Sequence, residues 1–127
     1  MRSPLVSVIM PAFNANMYVH EAIRSVQQQT YKNWELVIVD DGSIDDTLDV
    51  ANDLMTQHQD VVHVLSIPNS GPGAAREAGR LFAQGEFIQY LDSDDRLHPQ
   101  KFERQIAALR HHLDCGIAYG LTRLIDS

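Results

Sequence analysis

Apolar residues follow two alternating rhythms along this chain. Leu5-Val6-Ser7-Val8-Ile9-Met10 is short, almost continuously apolar and halted by Pro11, the pattern of a buried strand. After Asn14-Ala15-Asn16, residues Val19, Ala22, Ile23 and Val26 recur at helical spacing and predict a helix from about Met17 to Gln29. The period then returns to that of a strand in Trp34-Glu35-Leu36-Val37-Ile38-Val39, and Asp40-Asp41-Gly42-Ser43 supplies turn chemistry. A second helix carries Leu48, Ala51 and Met55 on one face and begins at Asp45-Asp46, where acidic groups suit the positive end of the helix dipole.

Val61 to Ser66 predicts a third strand, and Pro68-Asn69-Ser70-Gly71-Pro72-Gly73 a loop. Ala74, Ala75, Ala78, Leu81 and Phe82 restore helical spacing before a fourth strand, Phe87-Ile88-Gln89-Tyr90-Leu91. A last helix bears Phe102, Ile106, Leu109 and Leu113, and Gly116-Ile117-Ala118-Tyr119-Gly120 reads as one more strand. Strand and helix thus alternate, and the strands are apolar enough to be covered on both faces. This implies an α/β, Rossmann-like, doubly wound and mostly parallel sheet. With right-handed crossovers the expected strand order is 3-2-1-4, and the ligand crevice falls at the carboxyl ends of the strands, between strands one and four.

Composition narrows the class. The 127 residues are 44% hydrophobic and 21% charged, which suits a single compact domain over residues 1–127. A net charge of −7 without a cluster of Lys and Arg argues against a nucleic-acid partner. The single cysteine, Cys115, is read as a small buried hydrophobe, and no cleavage-site pattern follows Met1. These features lead us to expect a cytoplasmic setting, with a peripheral position at the membrane face as an option for a full-length protein. No apolar stretch approaches the roughly 20 residues that a membrane span requires.

On the expected frame, Asp40 and Asp41 end strand two, while Asp92, Asp94 and Asp95 end strand four, so both groups are expected at one crevice. Like charges brought together need a cation or hydrogen-bond donors to offset their repulsion. Mg²⁺ and Mn²⁺ prefer carboxylate, water and phosphate oxygen, and a metal carrying a polyphosphate accounts for the convergence. Aspartates after strands also cap helices and build turns. That explanation is taken for Asp45 and Asp46, and Asp40-Asp41 alone leaves both open. Asp92-Ser93-Asp94-Asp95 packs three carboxylates into one tight connection where a cap would need one, which favours metal. His58, His63, His98 and the His111-His112 pair fall on different elements and form no ligand set; a helix-start position accounts for His98.

These residues carry a resemblance over nearly the whole chain. Val6-Ser7-Val8-Ile9-Met10-Pro11-Ala12-Phe13-Asn14 is similar to the opening strand and turn of family 2 glycosyltransferases with the GT-A fold. Ser25-Val26-Gln27-Gln28-Gln29-Thr30-Tyr31, Glu35 to Ser43, Asn69-Ser70-Gly71 with Ala74-Ala75-Arg76, and Gly85 to Asp95 resemble its next four signatures in order. The resemblance implies a nucleotide diphosphate sugar donor, most often uridine-linked, and a carbohydrate or lipid-linked acceptor. Pro11 and Phe13 would flank the base, and Asp41 would accept from its imide N–H, as a carboxylate can for uracil. Arg76, early in helix three, would face base or phosphates. Asp92 would contact the ribose and share the metal site with Asp94, which would ligate Mn²⁺ or Mg²⁺; Asn14 and Ser93 complete the expected donor set.

Two departures stand out. The family often has Arg-Asn where this chain has Arg76-Glu77, so Glu77 offers Arg76 a competing partner. Family members are usually inverting, with a carboxylate base from the acceptor-binding half, and no residue before Ser127 is nominated for that role. The chain is therefore expected to be truncated before that half and to supply the donor and metal site. The alternative is a non-catalytic regulatory or scaffold domain of the same fold. A nicotinamide dehydrogenase would need Gly-x-Gly-x-x-Gly after strand one, where Pro11-Ala12-Phe13-Asn14 stands. Aspartate-based phosphatases place their acids after strand one, and nucleotidyltransferases usually a Gly-rich loop; neither occurs.

Overall fold

The computed structural model describes residues 4–111. Its elements run β1 (Val6–Ala12), α1 (Val19–Gln27), β2 (Trp34–Asp41), α2 (Thr47–Gln57), β3 (Val62–Ile67), α3 (Pro72–Phe82), β4 (Phe87–Tyr90) and α4 (Lys101–His111). The strands form one parallel sheet in the order β3-β2-β1-β4, as the alternation predicts. Leu113, Cys115, the side chains of the His111-His112 pair and the expected strand Gly116–Gly120 lie outside the described residues.

Side-chain alternation assigns the two faces. Val8, Met10, Leu36 and Ile38 pack with α1 residues Val19, Ile23 and Val26, with Ala51 of α2 and with Phe102 and Ile106 of α4. Val37 and Val39 point the other way, onto Ala75 and Ala78 of α3. The helix on the opposite face is the one whose crossover runs back past β1 to β4, as right-handed connections demand when the strand order reverses. Gly79 sets how closely α3 lies on the sheet: a Cβ there would stand 2.4 Å from Ile9 Cγ2 and 3.3 Å from Val39 Cγ2.

Several boundaries differ from expectation for identifiable reasons. β1 continues through Pro11 to Ala12, with Pro11 in register with Val39. Ile9 O accepts from Leu91 N, so the odd-numbered residues of β1 aim their backbone groups at β4. Pairing with β4 ends at Ile9 and Tyr90, so the N–H that proline lacks breaks no ladder bond. α1 is shorter than the predicted Met17 to Gln29, with Tyr18 and Gln28 as its caps. Pro72 and Gly73 belong to α3 and not to the loop, because proline at the first helical position gives up an N–H that has no intrahelical partner.

Leu81, placed on the apolar spacing of this helix, is 72% exposed, and Phe82 tilts against the His63 ring at 5.2 Å between centroids. The seam that α3 buries is made of Ala75 and Gly79. At α2, Asp46 is the N-cap without a side-chain bond; Asp45 instead accepts from Thr47 N at 2.9 Å and from the Thr47 hydroxyl. Among the described residues no helix is long and apolar enough to cross a membrane.

Candidate functional site

The carboxyl ends of β1, β2 and β4 and the start of α3 surround a cleft of about 600 Å³. Its walls include Pro11, Phe13, Asn14, Asp41, Arg76, Asp92, Ser93 and Asp94, so the fold gathers all eight residues expected to bind a donor. Tyr18, Asn69, Gly71 and Pro72 also line it. Asn69 belongs to a sequence signature, but its partner is visible only in the fold: its Nδ2 donates to Asp41 O at 3.1 Å. Tyr18 carried no signal, because it sits where a helix-period pattern begins.

One end of the cleft is built from two loops tied together. Asn14 N donates to Ser43 Oγ at 3.0 Å, and Ile44 N donates to Asn14 Oδ1 at 2.9 Å. Asn14 has φ of 48°, a left-handed conformation that asparagine tolerates better than most residues and that re-aims the chain after Phe13. Ala15 N reaches Thr47 Oγ1, and Asn16 N reaches Asp45 Oδ2. The Asp45 carboxyl lies below the usual aspartate range, chiefly through the Thr47 hydroxyl, opposed by burial and helped by the Thr47 and Asn16 N–H groups.

The two aspartates that end β2 separate, because successive strand residues face opposite sides. Asp41 points toward α3, where Oδ1 accepts from Ser70 N at 2.7 Å and Oδ2 from Gly71 N at 2.9 Å. These donors use two of the roughly four lone-pair positions of a carboxylate. Asp40 does not line the cleft, contrary to the expected convergence of both residues. It is buried on the other face, with Oδ2 accepting from Ser43 N at 3.2 Å and Oδ1 without a hydrogen-bond partner. Gly42, with φ of 73°, passes so near the β3–α3 loop that a Cβ would stand 2.8 Å from Asn69 N.

The opposite end holds the acids after β4. Asp92, Asp94 and Asp95 each offer a carboxylate oxygen, and these oxygens lie within 4.8 Å of one another. Asp95 N donates to Asp92 O at 3.0 Å and closes the turn that brings them together. Three hard oxygen donors on one turn, of which Asp92 and Asp94 line the cleft, suit Mg²⁺ or Mn²⁺. Arg76 Nη2 stands 3.1 Å from Asp92 Oδ1, while Glu77 pairs with Arg80, so the acid next to Arg76 does not divert it from the cleft. None of His58, His63 and His98 lines the cleft; His98 Nδ1 accepts from Gln100 N at 3.2 Å near the start of α4.

Comparison with known proteins gives concordant likenesses. The family described as Glycosyl transferase family 2 matches residues 7–123. An uncharacterized glycosyltransferase of Haemophilus influenzae is 40% identical over 114 residues, covering 89% of this chain and 46% of that protein. The putative teichuronic acid biosynthesis glycosyltransferase TuaG of Bacillus subtilis is 39% identical, covering 81% of this chain and 41% of its own length. Among solved structures, S. aureus TarS 1-349 in complex with UDP-GlcNAc superposes with a TM-score of 0.76 at 31% identity, covering 85% of this chain and 32% of that one. The chain thus spans less than half the length of these relatives.

Proposed function

The chain belongs to glycosyl transferase family 2, and from that premise we propose that it holds the donor and metal site of a transferase that moves a sugar from a UDP-linked donor. The observation that carries this reading is the single cleft with Asp41 at one end and the Asp92-Ser93-Asp94-Asp95 turn at the other. Its volume is in the usual range for a small-molecule site. The likeness to a protein solved with UDP-GlcNAc supports the uridine assignment.

In this proposal the uracil lies between Pro11 and Phe13, and its imide N–H donates to a free lone pair of Asp41. Ser70 and Gly71 hold the Asp41 carboxylate in place and keep both its oxygens as acceptors. An adenine, with no N–H at that ring position, would leave the buried acid facing an acceptor. Asn14 shapes the base end, and Ser93 lines the turn beside the phosphates. Asp92 accepts from the ribose, Arg76 contacts the phosphates, and Asp94 with Asp92 is positioned to ligate Mn²⁺ or Mg²⁺ with Asp95 in support. The bound ion would supply charge neutralisation to the departing nucleoside diphosphate.

Transfer itself forms a bond from an acceptor hydroxyl oxygen to the anomeric carbon while the bond from that carbon to the diphosphate oxygen breaks. The electron pair leaves on the diphosphate, and the hydroxyl proton passes to a base. We assign that base to an acceptor-binding portion and not to any described residue, and the acceptor to a carbohydrate or a lipid-linked sugar. With such a base, attack from the face opposite the diphosphate inverts the anomeric carbon.

Calorimetry with UDP tests the site. Binding is expected with Mn²⁺ or Mg²⁺ present and to disappear on chelation, and Asp94→Ala should remove the metal dependence. Equal binding before and after chelation would sink the metal assignment. Preference for another nucleoside diphosphate would sink the uridine assignment alone.

A further inference from the structure

The segment Ser25 to Tyr31 has no part in the donor site, yet it contains a polar side chain with no exposed surface. Gln29 is 0% exposed and makes three bonds, all to backbone. Its Nε2 donates to Ser25 O at 3.1 Å, which closes the end of α1, and to His98 O at 2.7 Å. Its Oε1 accepts from Phe102 N at 3.1 Å. Thr30 extends the contact, with its N–H on Pro99 O at 2.8 Å and its hydroxyl on Glu103 at 2.9 Å. Only a neutral amide can donate and accept from one side-chain end in this way, and burial leaves no water to replace it.

The partners of Gln29 lie just past the acidic turn. The connection that carries Asp92, Asp94 and Asp95 is held where it leaves the sheet by Leu91 N on Ile9 O. It is held again at His98 to Phe102 by Gln29 and Thr30. Between these points stand the Asp95-to-Asp92 bond and the buried Leu97. Gln29 thus fixes the chain just past the turn whose carboxylate oxygens lie within 4.8 Å of one another.

We propose that Gln29 is a positioning residue for the metal and diphosphate end of the cleft, acting through the backbone of residues 98–102; this rests on the metal role given to Asp92 and Asp94 above. Groups that orient metal ligands from behind commonly control affinity by about 10-fold to 100-fold. The base end, built on Asn14, Asp41 and Gly42, touches none of these tethers.

The test uses the whole chain with Gln29→Glu, which keeps the acceptor for Phe102 N but at most one of the two donors, and Gln29→Met, which keeps neither. Calorimetry should show the apparent Mn²⁺ affinity of the UDP complex falling by about 10-fold or more, with metal-free uridine affinity unchanged. Unchanged Mn²⁺ affinity in a folded variant, or equal losses for Mn²⁺ and uridine, overturns the proposal. Should both variants fail to fold, linkage gives the same answer in the unsubstituted protein: Mn²⁺ with UDP must slow amide exchange at Phe102 and Thr30. Protection confined to residues 92–95 overturns it. Failure of the unsubstituted protein to bind metal would count against the proposed function. The tether is then read from metal-free exchange at Asp95 N–H, which Gln29→Glu should accelerate and which, if unchanged, overturns the proposal.

Discussion

Arg76 reaches across the cleft to Asp92, with Nη2 3.1 Å from Oδ1, and both side chains remain about half exposed. A pair so placed contributes little to stability, about 0 to 1 kcal/mol. It does hold the guanidinium in the cleft, beside the acidic turn. Arg76→Ala should therefore melt close to the unsubstituted protein and bind UDP about 10-fold more weakly, as loss of one charge-assisted bond implies. Thermal melts and calorimetry on the same sample check both halves, and unchanged UDP affinity would remove Arg76 from the donor site.

Asp41 serves the fold and the proposed ligand at once, because its oxygens accept from Ser70 and Gly71 N–H. Asp41→Asn turns an amide NH₂ toward one of these donors. The expected loss is about 1.5 to 3 kcal/mol, read from urea denaturation, for a hydrogen bond to a charged acceptor given up. Asp41→Ala should weaken uridine more than bare pyrophosphate. Equal losses would mean that the carboxylate only supports the loop.

Gly79 should resist any side chain. Gly79→Ala places a Cβ against Ile9 Cγ2, and overpacking of this kind costs about 1 to 3 kcal/mol. Ile9→Ala removes the opposing methyl at a cost of its own, so the double variant should be more stable than the sum of the single losses predicts. Additive losses in a denaturation cycle would show that the two residues do not meet.

Asp45 links the base-end loops to pH. Its folded value is depressed, so its contribution to stability is fully present above the ordinary aspartate value of about 3.9 and is lost as pH falls through the lower folded value. Asp45→Asn should flatten the acid limb of the stability profile in that window and leave neutral pH much less affected in slope. An acid limb that is the same with and without the carboxyl would assign the titration elsewhere.

The sheet was legible because each strand is an apolar run and each helix a 3.6-residue period, and those rhythms rest on burial alone. The acidic turn was legible through residue type and position at a strand end, whereas Asp41 was singled out from Asp40 only by the family resemblance. Pro11 misled because proline is read as a strand terminator, whereas its tolerance depends on which neighbour the missing N–H would have faced. Leu81 misled because α3 packs through Ala75 and Gly79, and close approach by small residues leaves larger ones outside. Asp40 and Asp41 are identical in chemistry and adjacent in sequence, and only the alternation of β2 carries one into the cleft. The tether from Gln29 spans 69 residues to His98, a separation that no local pattern encodes.

The two ends of the cleft hang on unequal supports. All seven residues of β1 are buried, whereas one of the four in β4 is, and among the described residues β4 pairs only with β1. Sub-global opening takes the least buried unit first. On warming, the carboxylate turn should come loose at a temperature where β1, β2 and the Asp41 anchor still stand, so the proposed metal site would be lost before the proposed base site.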